Sequence, residues 1–294
     1  MVSLMTYALI IHGGAGADPR LDYSQQEAHM SELISNGRDR LLSGQSAMET
    51  VVSLVKSMEA SGLYVAGKGS APNTNGVVEL DASVMDGVGR KAGAVAAIRG
   101  VVYPVEAARR VMIDDHQVML AGEGANAFAL SQGLKLVDDP TTYYCDHLKH
   151  GSSGIDAAHG TVGAVALDTS GNLAAATSTG GTFNKKAGRV GDTPLIGAGT
   201  WADDSVAVSC TGLGEAFIRT SAAHDVAARM RYGGLSLREA AAATLAEVKR
   251  LGGDGGLIAI DRRGNIAMPY NSKGMKRAAV SDRTAPVVRV FEPE

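Results

Sequence analysis

Apolar positions recur along this chain at two periods, and the switches between them mark its elements. Residues 7–11 are an unbroken apolar run that ends in His12-Gly13-Gly14-Ala15-Gly16, which reads as a buried strand running into a tight glycine loop. Residues 23–42 read as a helix. A second helix starts at Ser46, where Ser46-x-x-Glu49 makes a capping box and Ala47, Val51, Leu54, Val55 and Met58 fall on one stripe. Asn75-Gly76 signals a turn, residues 77–85 alternate as a strand would, and residues 92–98 read as another strand. Pro104 opens a helix to about 112, and a helix near 121–132 closes the first half. From 138 to 160 the periodicity dissolves into turn formers and three histidines, His147, His150 and His159. This predicts a mobile connector ending at Gly160-Thr161.

The second half carries an internal echo. Gly163–Ala175 and Gly256–Met268 share the plan strand, Asp-x-x-Gly-Asn turn, strand, centred on Asp168 and Asp261, and predict two hairpins of one design. Two helices lie between them, one at about 215–230, the other from the capping box Ser236-x-x-Glu239 to about 251. Strands, then helices, then strands predict an α+β class of two facing sheets covered by helices, as a single domain over residues 1–294.

Composition narrows the function. The chain is 45% hydrophobic and 20% charged, ordinary for a soluble globular enzyme. A net charge of −3 gives no long-range attraction to nucleic acid or an anionic membrane. Cys145 and Cys210 are too few for a disulfide framework. No Lys or Arg precedes Arg20, so the first apolar run lacks the charged segment of a signal peptide, and a cytoplasmic location is expected. Either Met1 or Met5 serves as a start.

Four threonine-bearing segments hold the candidate chemistry: Gly160-Thr161 before a strand, Thr177-Ser178-Thr179-Gly180-Gly181, Gly188-Arg189-Val190-Gly191-Asp192, and Thr211-Gly212-Leu213-Gly214-Glu215. Taken singly each is weak. Gly-Thr before a strand is an ordinary turn, and Arg189 with Asp192 would make a surface ion pair worth ~0–1 kcal/mol. No Gly-x-Ser-x-Gly elbow is present. Gly62-x4-Gly67-Lys68 continues with Gly69 rather than Ser or Thr, so it is no phosphate loop, and His147-x-x-His150 lacks a third zinc ligand. Asp114-Asp115-His116 reads as a surface turn.

In series, these segments resemble the plant-type asparaginases, also called isoaspartyl peptidases, of the N-terminal nucleophile hydrolase superfamily. The resemblance also covers residues 10–16, 79–87 and 252–265. It implies a four-layer αββα sandwich and self-cleavage between Gly160 and Thr161 into residues 1–160, with a mobile tail from about 138, and residues 161–294. The freed Thr161 would then be the nucleophile, with its own α-amine, of pKa near ~8, as base. The resemblance gives Thr179 the role of holding the Thr161 hydroxyl, and Thr211 with Gly212 that of an oxyanion hole. Arg189 and Asp192 would grip an amino acid by its α-carboxylate and α-amine, and Gly214 would touch the amine. Isoaspartyl dipeptidase activity with L-asparaginase activity follows. A glycosylasparaginase, or a binding homologue without catalysis, is the alternative.

No cofactor is implied for catalysis. A structural sodium ion is, held by backbone carbonyls of Met58, Glu59, Ser61, Tyr64, Ala66 and Lys68. The family usually has asparagine before the Ala-Gly of that loop, where this chain has Val65, and the connector before Thr161 looks shorter than typical. The resemblance suggests a dimer of processed heterodimers acting on small molecules, with neither nucleic acid nor membrane as partner.

Overall fold

A computed structural model describes residues 6–144 and 160–292. The predicted 138–160 connector therefore lies largely outside the described residues; its start holds a one-turn helix, Pro140–Tyr143. The class is mixed α/β with two sheets. Eight strands form the larger: β1 (Ala8–Ala15), β2 (Leu80–Asp86), β3 (Ala92–Ile98), β4 (Met119–Ala121), β5 (Val162–Leu167), β6 (Leu173–Thr179), β11 (Met275–Ser281) and β12 (Val287–Arg289), in the order β12-β11-β1-β5-β6-β2-β3-β4. The smaller contains β7 (Thr200–Ala202), β8 (Val206–Gly212), β9 (Gly255–Asp261) and β10 (Ile266–Ala267), in the order β10-β9-β8-β7.

Strand alternation decides what faces what. On β1, β2, β5 and β6 one set of side chains, including Leu9, Ile11, Leu80, Val84, Val162 and Ala176, packs under the helices α1 (Ser24–Leu42), α2 (Ala47–Ser61) and α3 (Pro104–Asp114). On β8 and β9, Val208, Cys210, Leu257 and Ala259 pack under α6 (Gly214–Thr220), α7 (Ala222–Gly233) and α8 (Leu237–Arg250), in chain order after α4 (Gly122–Ser131) and the one-turn α5. The opposite parity, with Ile10, Val165, Ala175, Ala207, Ile258 and Ile260, forms a third apolar cluster in which the two sheets meet. Thr161, Thr179 and Thr211 all have this inward parity.

The two predicted hairpin turns are alike bond for bond. Asp168 Oδ1 accepts from Ser170 N and Asn172 N, and Asp261 Oδ1 accepts from Arg263 N and Asn265 N. Gly171 and Gly264 take φ of 85° and 74°, where a side chain would be strained. Both predicted capping serines accept from Glu49 N and Glu239 N, and the second box is complete.

Two expectations need correction. The predicted helix 215–230 is two helices, broken at Ser221 with φ 48°. The first N–H groups of α7 turn to the Gly197 and Ala198 carbonyls, a tertiary pairing no local pattern encodes. The strand predicted at 77–85 starts at Leu80, because Asn73 Oδ1 draws Asn75 N and Val77 N into a side-chain-capped turn.

Candidate active site

Hairpin β5–β6 builds the centre. Val162 pairs with Ser178, and the same register sets Thr161 opposite Thr179 at the open end. The Thr161 hydroxyl donates to Thr179 Oγ1 at 3.1 Å, and Thr179 Oγ1 also accepts from Gly181 N at 3.0 Å. Both threonines are buried. Beneath this turn the buried Lys185 ammonium donates to the carbonyls of Glu79 (2.6 Å) and Gly180 (2.9 Å). Burial lowers its pKa, against the pull of Asp81 and Glu79. Lys185→Met strips a donor from two carbonyls, and urea denaturation is expected to show a stability loss of about 1–3 kcal/mol.

Gly160 explains the residue type at the predicted cleavage point. A Cβ there would lie 2.3 Å from Val65 Cβ and 2.9 Å from Val65 N. Val65 is thus the wall against which Gly160 rests, and its carbonyl accepts from Gly180 N at 2.7 Å. Because backbone as well as side chain blocks that space, Gly160→Ala is expected to slow self-cleavage by about tenfold or more. Timed gel analysis of freshly folded protein reads the effect.

Loop 188–192 stands beside the threonines. Gly188 N donates to Glu79 Oε2 at 3.0 Å, anchoring the loop to a buried carboxylate that also holds Asn73 and Arg99. Burial works to raise the Glu79 pKa, but these donors outweigh it and hold the carboxyl below its ordinary value. Arg189 does not pair with Asp192. It forks onto Glu215 at 2.9 and 3.0 Å, a partner the sequence did not suggest. Asp192 is buried, and its Oδ2 has no hydrogen-bond partner. Burial pushes its pKa up to about 7, with the Arg189 charge opposing. Gly214 closes over both residues, since a Cβ there would lie 3.0 Å from Asp192 Oδ1 and 3.1 Å from Arg189 Nη2.

Thr211 and Gly212 end β8. Thr211 Oγ1 accepts from Ala15 N at 3.2 Å, which leaves its own O–H to donate elsewhere. Gly212 pairs with Gly255, and a Cβ on it would fall 2.3 Å from the Asp254 carbonyl. One cavity is lined by Gly160, Thr161, Thr179, Arg189, Asp192 and Gly212. Gly181, Thr182, Gly191 and Thr193, to which the motifs assigned no role, complete the lining. Adjacency to the assigned residues is the only sequence signal they carried.

The loop of Met58, Glu59, Ser61, Tyr64, Ala66 and Lys68 contributes no residue to the lining of that cavity and adjoins it through Val65. Three of its carbonyls crowd its glycines: a Cβ on Gly67 would lie 2.5 Å from the Glu59 oxygen, and one on Gly69 would lie 2.0 Å from that of Tyr64 and 3.1 Å from that of Gly62. A knot of carbonyls around glycines suits a hard cation held by oxygen. The Glu59 side chain points elsewhere, accepting from Ser178 Oγ at 2.6 Å and Val105 N at 3.0 Å.

Known proteins resemble this chain in sequence over nearly its whole length. The Asparaginase_2 family model, described as asparaginase, matches residues 5–290. An isoaspartyl peptidase of Salmonella typhimurium is 48% identical over 293 residues, spanning 92% of this chain and 94% of that protein. An isoaspartyl peptidase of Escherichia coli is also 48% identical, spanning 92% and 91%. The human isoaspartyl peptidase/L-asparaginase is 39% identical over 292 residues, 95% of this chain and 94% of its own. With the cavity's threonines and the Arg189–Asp192 loop all inside the matched region, the chain belongs to the asparaginase family.

Proposed function

We propose that this protein cleaves itself between Gly160 and Thr161 and then hydrolyses the β-amide of aspartyl groups, as an isoaspartyl dipeptidase with L-asparaginase activity. The observation that carries this reading is the buried Asp192, whose Oδ2 has no hydrogen-bond partner, lining the same cavity as the Thr161–Thr179 hydroxyl pair. A group so placed suits a substrate ammonium, and Arg189 beside it suits a carboxylate once it exchanges Glu215 for the ligand.

The chemistry runs twice at one centre. In the precursor, Thr161 Oγ adds to the Gly160 carbonyl and its proton passes to the Thr161 nitrogen as the peptide C–N bond breaks, freeing the amine. Water then hydrolyses the resulting ester, releasing the Gly160 carboxylate and the Thr161 hydroxyl. In turnover, that amine takes the hydroxyl proton as Oγ adds to the substrate's β-carbonyl, then passes it to the leaving nitrogen. The Thr211 O–H and Gly212 N–H donate to the oxyanion. Water, deprotonated by the same amine, opens the aspartyl ester and releases aspartate. Thr179 accepts from Thr161 Oγ1 in the precursor and holds it towards the carbonyl.

The three apolar clusters support a four-layer αββα sandwich processed into residues 1–160 and 161–294. Loop 58–68 would hold a structural sodium ion through its carbonyls. Among the described residues no helix is long and apolar enough to cross a membrane. A cytoplasmic dimer of processed heterodimers, acting on small molecules, is our reading of its setting.

Steady-state assays with a β-aspartyl dipeptide, asparagine and a glycan-bearing asparagine test the proposal. We expect kcat/KM to be highest for the dipeptide and measurable for asparagine. Turnover of the glycan-bearing substrate alone would favour a glycosylasparaginase. Aspartyl ligands bound unreacted to an uncut chain would favour a binding protein.

A further inference from the structure

Beneath Thr161, where the two sheets meet, runs a line of polar groups that the chemistry above does not use. His12 Nδ1 is 3.1 Å from the Thr161 carbonyl oxygen, and His12 Nε2 is 2.9 Å from Ser209 Oγ. Ser209 Oγ lies 2.8 Å from Thr177 Oγ1, which accepts from the Thr200 hydroxyl at 2.6 Å. Ser83 Oγ closes the line, 2.7 Å from Thr200 Oγ1 and 2.6 Å from the Thr193 carbonyl oxygen. All five side chains are fully buried, and each comes from a different strand: β1, β2, β6, β7 and β8.

The ends of this line are its most telling feature. One is the backbone of the attacking residue, and the other is the residue that follows Asp192. A carbonyl oxygen only accepts, so Nδ1 of His12 carries the hydrogen and Nε2 accepts from Ser209. Burial pushes the His12 pKa down to about 3, so the ring is neutral. Strand β5 approaches so closely that a Cβ on Gly163 would fall 2.1 Å from Ser209 Oγ and 2.4 Å from His12 Nε2. Stability does not account for the line. The neighbouring inter-sheet residues, among them Ile10, Val165 and Ile258, are apolar, and replacing every partner by apolar groups of like shape can be near neutral. Ser209, Thr177 and Thr200 each donate one step along the line, and the Ser83 O–H is shared between Thr200 Oγ1 and the Thr193 carbonyl. A buried network with every donor used holds its ends to one geometry.

We propose that His12, Ser209, Thr177, Thr200 and Ser83 form a positioning line that ties the backbone of Thr161 to the Asp192–Thr193 turn. It fixes the distance between the attacking hydroxyl and the carboxylate that receives the substrate amine. The proposal rests on Thr161 as nucleophile and Asp192 as amine partner.

Cutting the line at either end gives different readouts. Ser83→Ala frees the Asp192 turn, and KM for a β-aspartyl dipeptide should rise about tenfold with kcat within about twofold. His12→Leu frees Thr161, and kcat and the self-cleavage rate should each fall about tenfold or more with KM little changed. His12→Asn, whose amide N–H stands near the place of Nδ1–H, should recover most of that loss. Thr177→Val, in the middle, should move both constants. Thermal unfolding of each variant, with the milder Ser83 and Thr177 changes as insurance against misfolding, separates positioning from collapse. Folded variants with unaltered kcat, KM and cleavage would overturn the proposal. So would losses that follow unfolding temperature alone without the kcat–KM split. Should Thr161→Ala still be cleaved or active, the nucleophile assignment falls and takes the proposal with it. Failure of the line alone leaves Thr161→Ala inert.

Discussion

Thr161→Ala is expected to remain one uncut chain and to lose at least about 10⁴-fold in hydrolysis of β-aspartyl dipeptides, since a lost nucleophile has no substitute among its neighbours. The Thr179 hydroxyl, 3.1 Å away, belongs to a residue inside strand β6 that has no free α-amine to serve as its base, so it cannot take over. Folding should be spared, because the change removes a hydroxyl and a methyl group from a residue at the mouth of the hairpin rather than inside a ladder. Thr161→Ser keeps the hydroxyl and should keep both cleavage and turnover, at reduced rates because serine fixes χ1 less firmly. Denaturing gels and a coupled aspartate assay read both variants side by side.

Asp192→Asn should carry the second largest effect. Removing one charge of a buried pair costs about 2–5 kcal/mol, which is roughly 30- to 5,000-fold in kcat/KM, and most of it should appear in KM. The pH dependence has a definite sign. In the free protein burial raises the Asp192 pKa from its ordinary 3.8 to about 7, so the carboxylate that attracts an ammonium forms only as pH rises through about 7. Wild-type KM should therefore fall across that range, while Asp192→Asn should show no such step. Stability runs the other way. The folded state keeps a proton that the unfolded chain releases above pH 3.8, so this residue's contribution weakens as pH climbs from 3.8 to about 7. Asp192→Asn should consequently be the more thermostable of the two at pH 8, a site residue held at a cost in stability. Titrating KM and the melting temperature in parallel tests both signs.

Much of this site is readable in the one-dimensional pattern, and the reasons are local. The Asp168 and Asp261 turns impose their hairpins through bonds within five residues, so the register that sets Thr161 against Thr179 follows from the sequence spacing. Capping serines and the Asn75-Gly76 turn are local in the same way. What escaped depends on distant partners. Strand β11 contains Lys276 and Arg277, which break any apolar run, yet Arg277 is buried because Glu292 pairs with it and Tyr270 lies beneath its guanidinium. The break at Ser221 comes from loop 197–198, and the Arg189–Glu215 fork joins residues 26 apart. His12 carries no local signal of its contacts, because its partners Thr161 and Ser209 lie 149 and 197 positions away. Val65 is legible as a departure from the family pattern, and only the structure places it against Gly160.

The central claim is that this protein makes its own catalyst by freeing the amine of Thr161. Intact mass under denaturing conditions, taken on purified protein before and after brief exposure to a slow β-aspartyl substrate, tests it most directly. The account predicts two chains that meet at Gly160/Thr161, and a transient aspartyl adduct on the chain that begins with Thr161. One uncut chain that nonetheless turns over substrate, or an adduct on the other chain, would contradict it.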